Sequence, residues 1–310
     1  MFSLVIPVYN EEKLLDELLG RTISSIESFT ADYEVIVVDD GSTDNSLEML
    51  LHWQNKNKRI AVISLSKNFG HQAAYTAGLE YAKGDIVAMM DGDLQDPPEL
   101  LTEMYRKINE EDLEIVSGKK SGRKGSRNRN LFSTLFHLFF KYIGEIKSME
   151  NAGNYSMMKR EAVDALLMMK EKVRYLPGLR TFIGFRQEYV EFVRDDRYRG
   201  VPKMNFGRLF MLATDAIFSF SRFPIRLCLV LGTIGTLVFM VVGIYVLIAK
   251  AYGFAIPGWS SILLSIYFLG SIQLVFLGIL GEYVYRSYKE SQNRPVYFVR
   301  KIYSDRDKKR

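Results

Sequence analysis

With 310 residues, of which 48% are hydrophobic, the chain is long enough for one sizeable domain with attachments. Its formal net charge of +5 does not indicate a nucleic-acid partner. The basic residues gather beside two long uncharged runs and in the C-terminal tail, where they suit anionic lipid headgroups. The single cysteine, Cys228, excludes an internal disulfide and a zinc site made of cysteines.

The first 120 residues alternate between strand and helix patterns. Short apolar or β-branched runs predict strands at residues 3–8, 33–38, 60–65 and 85–90. Stretches between them predict helices at residues 11–29, 42–53 and 72–82, the second capped by Ser42 or Thr43. This alternation is typical of an α/β domain, in which helices cover a parallel sheet.

Each predicted strand is followed by a polar loop. In a parallel sheet, ligands bind beyond the carboxyl ends of the strands. We therefore expect four loops to converge on one edge of the sheet, and they contain residues 9–12, 39–42, 67–70 and 91–93.

Two carboxylates one residue apart, Asp91 and Asp93, directly follow the fourth predicted strand. Gly92 removes bulk between them, and the following Pro97 and Pro98 stiffen the turn. Crowded carboxylates repel one another, and Mg²⁺ or Mn²⁺ relieves this repulsion while keeping positions open for phosphate oxygens. The pair predicts a metal site, with an acidic surface turn as the alternative.

Two long uncharged runs occupy residues 227–249 and 251–281, the second interrupted near Pro257 and Gly258. Each contains an apolar stretch of about 20 residues, the length with which a helix spans a bilayer. A soluble helix rarely stays apolar on every face for so long, so we predict transmembrane helices at about 227–249 and 261–281. The amphipathic segment before them predicts an interfacial helix, and such helices often self-associate, so a homo-oligomer is compatible with the sequence.

Positive charges flank these two helices on one side of the membrane. Arg222 and Arg226 precede the first helix, Arg286 and Lys289 follow the second, and the connecting loop offers only Lys250. The positive-inside rule predicts a multi-pass protein of the inner (plasma) membrane with both termini in the cytoplasm.

Four motifs resemble, in order, those of family-2 glycosyltransferases with the GT-A fold. They are Ile-Pro-Val-Tyr-Asn-Glu-Glu at 6–12, Val-Val-Asp-Asp-Gly-Ser at 37–42, Lys-Asn-Phe-Gly at 67–70 and Asp-Gly-Asp-Leu-Gln-Asp-Pro-Pro at 91–98. The Leu-Gln-Asp-Pro-Pro ending and the two apolar runs resemble the polyprenyl-phosphate branch, similar to bactoprenol glucosyltransferases and dolichol-phosphate mannose synthase. The resemblance covers nearly the whole chain.

The resemblance implies both a domain arrangement and a reaction. The domains would be a Rossmann-like, mostly parallel sheet at 1–205, an interfacial helix at 206–226, a transmembrane hairpin at 227–282 and a basic cytoplasmic tail at 283–310. The reaction would transfer a sugar from a nucleotide sugar, in the first instance a UDP-sugar, to a polyprenyl phosphate such as undecaprenyl phosphate. The family precedent is metal-dependent transfer at the cytoplasmic face of the membrane, with inversion at the anomeric carbon.

The resemblance also implies roles for individual residues. Asp91 and Asp93 would hold the metal, with Gln95 as a further ligand, and Asp40 would accept a hydrogen bond from the base. The full set implied for the nucleotide is Pro7, Tyr9, Glu11, Asp39, Asp40, Lys67, Asn68, Gly70 and Asp91. For Asp39 and Asp40, a simple turn with an Asx cap is the alternative.

Basic residues are the candidates for binding the acceptor phosphate. Residues 119–130 form a basic run with Gly and Ser, which we interpret as an anion-binding loop, with a solvated surface run as the alternative. Residues 197–203 resemble the family element Arg-x-x-Gly-x-Ser-Lys, and a guanidinium suits a phosphate well, although a basic juxtamembrane surface is the alternative. The candidates are Lys120, Arg123, Arg127, Arg197 and Lys203, the last two also as groups that align the reacting phosphates.

The chain departs from the family at Asn154, which lies in Ala-Gly-Asn-Tyr-Ser-Met at 152–157. Relatives often carry Thr-Gly-Asp-Phe-Arg-Leu there, and that Asp has been interpreted as a base. A lipid phosphate is already ionised near neutral pH and needs no strong base, so we favour a positioning role for Asn154. A weakened or specialised enzyme is the alternative.

Other functions fit the sequence less well. A processive polysaccharide synthase would carry Gln-x-x-Arg-Trp, whereas neither Trp53 nor Trp259 follows an Arg. A catalytically silent protein that binds sugar lipids would not need the carboxylates at 91 and 93. A nucleotide-binding dehydrogenase would show Gly-x-Gly-x-x-Gly after the first strand. For His71, which follows the loop at 67–70, we favour a structural role.

Overall fold

The computed structural model of the chain divides it into two units. The residues that the structure describes are 1–120, 152–172, 174–192, 223–252 and 258–305. Of these, residues up to 192 and from 294 onward belong to the first unit, and residues 223–293 to the second. Several predicted features lie outside the described residues, namely Arg123, Arg127, Arg197, Lys203 and most of the interfacial helix.

The first unit contains an eight-stranded sheet with helices on both faces. Its strands are β1 (Phe2–Val8), β2 (Tyr33–Asp39), β3 (Ile60–Leu65), β4 (Ile86–Met89), β5 (Ile115–Lys120), β6 (Ala152–Lys159), β7 (Gln187–Phe192) and β8 (Val299–Tyr303). Its described helices are α1 (Leu15–Glu27), α2 (Ser46–Lys56), α3 (His71–Tyr81), α4 (Leu100–Glu110), α5 (Arg160–Met168) and α6 (Leu176–Phe182).

The strand order is β7-β5-β6-β4-β1-β2-β3-β8. Strand β1 pairs in parallel with β2 and β4, β2 pairs in parallel with β3, and β5 pairs in parallel with β7. Strand β6 runs antiparallel to β4 and β5, and β8 runs antiparallel to β3. The predicted α/β fold with a mostly parallel sheet is therefore confirmed.

Burial on both faces of the sheet explains why its central strands read as continuous apolar runs. Every residue of β1 and β2 is buried, as expected of parallel strands that are covered on both sides. Alternate side chains of β1 point to opposite faces. Leu4 and Ile6 pack in the cluster that includes α1, α2 and α4, and Val5 packs in the cluster that includes α3, α5 and α6.

Helix α2 begins at Ser46 rather than at residue 42, and the cap expected from Ser42 or Thr43 is absent because these two residues bond elsewhere. The Ser42 hydroxyl accepts the Asn10 N–H at 3.0 Å, and the Thr43 N–H donates to the Asn10 side-chain oxygen at 2.8 Å. The segment between β2 and α2 is thus part of a turn that is bonded to the loop after β1.

The segment predicted as a basic tail outside the folded domain instead returns to the sheet. Its strand β8 pairs with β3, which would otherwise present an edge of unpaired N–H and C=O groups. Ile302 and Tyr303 pack against the clusters on opposite faces of the sheet. The sequence prediction missed this strand because charged residues dominate the stretch around it.

The second unit contains the helices α7 (Phe223–Ala251) and α8 (Trp259–Ser291) in its described part. Among the residues searched, one helical segment, Phe268–Ser291, has the length and mean hydropathy needed to cross a membrane, and Val230–Val242 is a shorter apolar segment. The prediction of two transmembrane helices is therefore not confirmed, and the multi-pass arrangement stays a prediction.

Candidate active site

The carboxyl ends of β1, β2 and β3 lie level with one another, and β4 runs in the same direction but ends opposite Val5. In the strand register Val8 lies opposite Asp39, Asp39 lies opposite Ser64, and Val5 lies opposite Met89. The loops after β1, β2, β3 and β4 therefore begin at one edge of the sheet. This is the arrangement that the sequence predicted for residues 9–12, 39–42, 67–70 and 91–93.

The loops after β1 and β2 are bonded together. Besides the contacts of Asn10, which has a left-handed φ of 56°, the Glu11 N–H donates to the Ser46 hydroxyl at 3.0 Å. The Glu12 carboxylate accepts the Asn45 N–H at 3.1 Å. Of the residues predicted here for the nucleotide, Pro7 is buried within β1, whereas Tyr9 is 39% exposed at its end.

The carboxylates of Asp39 and Asp40 are buried and serve the protein's own loops. Asp39 accepts the Ser42 N–H at 3.0 Å and the Ser64 hydroxyl at 3.3 Å. The two oxygens of Asp40 accept the N–H groups of Phe69 and Gly70 at 2.8 and 2.9 Å. Burial raises the pKa of Asp40, and these two backbone bonds partly offset that effect. This geometry favours the turn interpretation for Asp39, and it gives Asp40 the task of holding the loop after β3.

Two glycines allow neighbouring loops to approach closely. A Cβ on Gly41, whose φ is +71°, would lie 2.5 Å from the carbonyl carbon of Lys67. A Cβ on Gly92 would lie 2.7 Å from the carbonyl oxygen of Pro7. Any other residue at either position would push the loops apart, so both glycines are needed for the loops to pack as they do.

Asp91 lies at the centre of a hydrogen-bonded cluster. Its Oδ1 accepts the Tyr75 hydroxyl at 2.8 Å and lies 2.8 Å from His71 Nε2. Burial raises the pKa of Tyr75 well above its ordinary value, so that its hydroxyl remains a donor. Burial by itself lowers the pKa of His71, but its hydrogen bond to Asp91 and the charges of Asp91 and Asp93 outweigh burial and raise that pKa.

Asn154 on β6 joins the same cluster. Its side-chain oxygen accepts the Gln72 amide at 3.1 Å, and its Nδ2 lies 3.5 Å from His71 Nδ1. The His71 ring therefore lies between Asp91 and Asn154, two residues that are far apart in sequence. The prediction of a structural role for His71 does not fully describe this residue, because its ring contacts two predicted site residues directly.

The structure also reveals residues that sequence reasoning missed. Tyr75 follows His71 by four residues on α3, a spacing that places both on one helix face, and this was the available signal. Arg180 on α6 is 1% exposed and donates to the Gly153 carbonyl at 3.0 Å, next to Asn154. Burial lowers the pKa of Arg180 to about 10, so it is still charged near neutral pH.

The loop after β4 presents oxygen atoms suited to a hard cation. Asp93 accepts the Gln95 N–H at 3.1 Å, and the side chain of Gln95 is buried. Among the described residues, no group of three or more His, Cys, Asp or Glu side chains is arranged as a metal site. Two carboxylates and an amide are nonetheless a donor set that fits Mg²⁺ or Mn²⁺, which bind through few protein ligands and keep several waters.

The residues predicted for the acceptor phosphate remain untested. Lys120 is the last residue of β5, and the other four lie outside the described residues. The neighbouring Lys119 forms an ion pair with Glu191 at 2.8 Å.

Known proteins are similar to this chain in sequence. The model for glycosyl transferase family 2 matches residues 3–167. An uncharacterized glycosyltransferase of Synechocystis sp. is 38% identical over 301 residues, covering 96% of this chain and 94% of that protein. The prophage bactoprenol glucosyl transferase homolog of Escherichia coli is 32% identical over 303 residues, covering 97% and 98%. The bactoprenol glucosyl transferase of Shigella phage SfII is 32% identical over 302 residues, covering 96% and 97%.

The similarity to solved structures is at low sequence identity. Glucosyl-3-phosphoglycerate synthase of Mycobacterium tuberculosis, in complex with Mn²⁺, UDP and glucosyl-3-phosphoglycerate, is 20% identical with a TM-score of 0.49, covering 70% of this chain and 77% of that chain. The family match spans more than half of the present chain, and the relatives align over nearly all of it. The family and the enzyme class predicted from the sequence are confirmed: the chain belongs to glycosyl transferase family 2 and is a glycosyltransferase.

Proposed function

We propose that the protein transfers a sugar from a nucleotide sugar, a UDP-sugar in the first instance, to a polyprenyl phosphate such as undecaprenyl phosphate. The proposal rests on the Asp91–Asp93 loop, which the His71 ring connects to Asn154 at the carboxyl edge of the sheet. Relatives named bactoprenol glucosyl transferases, which align over nearly the whole chain, support the lipid acceptor.

The nucleoside part of the donor is proposed to bind over the loops after β1, β2 and β3. Tyr9 offers a half-exposed ring at this edge, and Lys67 and Asn68 are exposed there. Gly70 and Asp40 shape the loop rather than reach outward, since the Gly70 N–H donates to the Asp40 carboxylate. Glu11, Pro7 and Asp39 complete the predicted pocket as residues that hold its walls.

Asp91 and Asp93, with Gln95, are proposed to hold Mg²⁺ or Mn²⁺ against the donor diphosphate. Such an ion supplies compensation for the negative charge that grows on the leaving diphosphate. Tyr75 and His71 both contact one oxygen of Asp91, and these contacts restrict the rotation of the carboxylate. A fixed carboxylate requires less reorganisation during the reaction.

The proposed step is a direct displacement with inversion. An oxygen of the acceptor phosphate forms a bond to the anomeric carbon, while the bond from that carbon to the diphosphate breaks and its electron pair leaves with the nucleoside diphosphate. Asn154 cannot act as a base, and none is needed for a nucleophile that is already ionised. Its amide is held by Gln72 and His71 and is proposed to position a reactant. Lys120, Arg123, Arg127, Arg197 and Lys203 stay the proposed partners of the phosphates.

Two transmembrane helices and a cytoplasmic catalytic domain are proposed on topological grounds. Strand β8 follows α8 in the chain, yet it pairs with β3 in the first unit. Residues up to 192 and residues 299–303 then lie on the same side of any membrane, so the chain between them crosses it an even number of times. This supports a hairpin of α7 and α8 rather than a single span, and the flanking positive charges support the cytoplasmic side.

In the decisive experiment, membranes that contain the protein are incubated with each of a panel of radiolabelled nucleotide sugars. The lipid is then extracted and its label is measured. We expect label to appear in a lipid-linked product that depends on added polyprenyl phosphate and on Mg²⁺ or Mn²⁺. Ready transfer to a neutral alcohol, but not to a polyprenyl phosphate, would refute the proposed acceptor. Absence of transfer from every donor would favour a catalytically silent protein.

A further inference from the structure

We propose that the C-terminal segment after α8 contributes to binding of the nucleotide-sugar donor. Phe298 and Arg300 would act as positioning residues for the loop after β3. This inference rests on the proposed function, because it assigns a role in binding the nucleotide sugar. It concerns residues that no sequence motif had marked.

The loop after β3 is held by the C-terminal segment at its first residue. The Ser66 N–H donates to the Phe298 carbonyl at 2.8 Å, and Arg300 Nη2 donates to the Ser66 carbonyl at 2.7 Å. Both backbone groups of Ser66 are therefore bonded to residues 298–300, which lie more than 200 positions later in the chain.

Aromatic contact extends the same connection toward the middle of the loop. The rings of Phe69 and Phe298 have their centroids 6.1 Å apart, and the Lys67 ammonium lies 5.2 Å from the Phe69 ring. Phe298 is 54% exposed, so its ring is not held there by burial in the core. The contact instead covers one side of the loop that carries Lys67 and Asn68.

The other side of the loop is held by Asp40, whose carboxylate accepts the N–H groups of Phe69 and Gly70. The loop thus lies between the end of β2 and the C-terminal segment. It is hydrogen-bonded to Asp40 on one side and to Phe298 and Arg300 on the other. Ordering a loop costs conformational entropy for every residue. Contacts that hold the loop before the donor arrives remove that cost from donor binding.

The C-terminal segment is itself anchored to α3 and the sheet. The Tyr297 hydroxyl donates to Glu80, and the Tyr81 hydroxyl donates to Ser304 at 2.9 Å. Removal of either Phe298 or Arg300 should loosen the loop while leaving these anchors intact.

The test compares Phe298→Ala and Arg300→Ala in the full-length protein with Lys301→Ala. Lys301→Ala is the matched control for Arg300→Ala, because it also removes one positive charge from β8. The Lys301 side chain lies on the opposite face of the strand, with its ammonium 4.8 Å from the centroid of the Tyr303 ring. We expect the donor KM, and the Kd for UDP, to rise about tenfold in the first two variants. The kcat at saturating donor should stay within about twofold in all three, and Phe298→Tyr, which keeps the ring, should restore the wild-type KM.

Hydrogen exchange provides a readout that does not depend on the identity of the donor. Amides of residues 66–70 should exchange faster in Phe298→Ala and Arg300→Ala than in the wild type or Lys301→Ala. Unchanged exchange there, or a Kd for UDP equal to that of the wild type, would overturn the inference while leaving the proposed function intact. A wild-type protein that binds no nucleoside diphosphate would refute the proposed function instead, and the exchange comparison would still decide whether the segment holds the loop.

Discussion

At Asp91, a single carboxylate oxygen serves two donors, the buried Tyr75 hydroxyl and the His71 ring. Hydrogen bonds to a charged group contribute about 1.5–3 kcal/mol each. These two contacts to Oδ1 restrict the orientation of the carboxylate. Individual residues of this site are thus positioned by α3, an element that carries none of the predicted metal ligands.

The first prediction at this scale concerns Asp93. Replacement Asp93→Ala should abolish transfer, because the charge that grows on the leaving diphosphate would lack compensation. The measurement is lipid-linked label formed per minute. Glu103→Ala, which removes an exposed carboxylate from α4, should leave the rate unchanged. Full activity of Asp93→Ala, or of the wild type in excess EDTA, would contradict the metal assignment.

The second prediction concerns Asn154. Asn154→Ala should lose only what positioning contributes, on the order of tenfold to a hundredfold in rate. Asn154→Asp should remain active, because a carboxylate oxygen can still accept the Gln72 amide that now donates at 3.1 Å. Rates of the wild type and both variants would be measured from pH 5.5 to 8.5.

The shape of those pH profiles tests the mechanism. A phosphate monoester has its second pKa near 6, so the rate should rise with pH near that value and then level off in all three enzymes. A general base would contribute about a hundredfold to ten-thousandfold. An Asn154→Asp variant that gains a factor of that size with a new ionisation in its profile would show that the site lacks a base it needs.

At the scale of elements, the site depends on how closely loops pack against strands. The loop after β4 lies against the end of β1, where Gly92 leaves no room for a side chain. The loop after β3 lies against Gly41 in the same way. Because these contacts join segments that are 26 to 85 positions apart in sequence, no local pattern could have predicted them.

A substitution at Gly92 tests this packing. Gly92→Ala should lower the unfolding free energy by about 1–3 kcal/mol, because its methyl group would overlap the Pro7 carbonyl and displace the loop. Transfer should fall more steeply, since Asp91 and Asp93 would move with the loop. Gly20→Ala, on α1 with open space around the position, should instead be neutral or stabilising by about 0.5–1 kcal/mol. Equal thermal unfolding midpoints and rates for the two variants would contradict the packing argument.

At the scale of the whole molecule, the return of the chain to the sheet through β8 constrains topology. If α7 and α8 form the proposed hairpin, we expect the loop between them to lie outside the cell and both termini to lie inside. In a Cys228→Ser background, Ser260→Cys should react with an impermeant thiol reagent in intact cells, whereas Lys58→Cys, exposed on the sheet domain, should react only after rupture. Labelling of Lys58→Cys but not of Ser260→Cys in intact cells would show the opposite orientation, and equal behaviour of the two variants would contradict the hairpin.

The sequence by itself determined the parts of this protein that follow from local pattern and from motif. The continuous apolar runs of β1, β2 and β3 predicted buried parallel strands, because only strands covered on both faces need no polar alternation. The four polar loops were predicted at one edge of the sheet, because parallel strands bring their carboxyl ends together. The motifs were sufficient to identify family and enzyme class.

Tertiary structure alone decided which residues meet at that edge. His71 and Tyr75 contact Asp91 because α3 packs back across the sheet, and Asn154 reaches them because β6 inserts beside β4. The C-terminal segment contacts the loop after β3 because β8 pairs with the otherwise open edge of β3. These contacts follow from chain topology, which brings together segments that are distant in sequence and lets them form hydrogen bonds and pack against one another. The periodicity of a sequence does not predict such pairings.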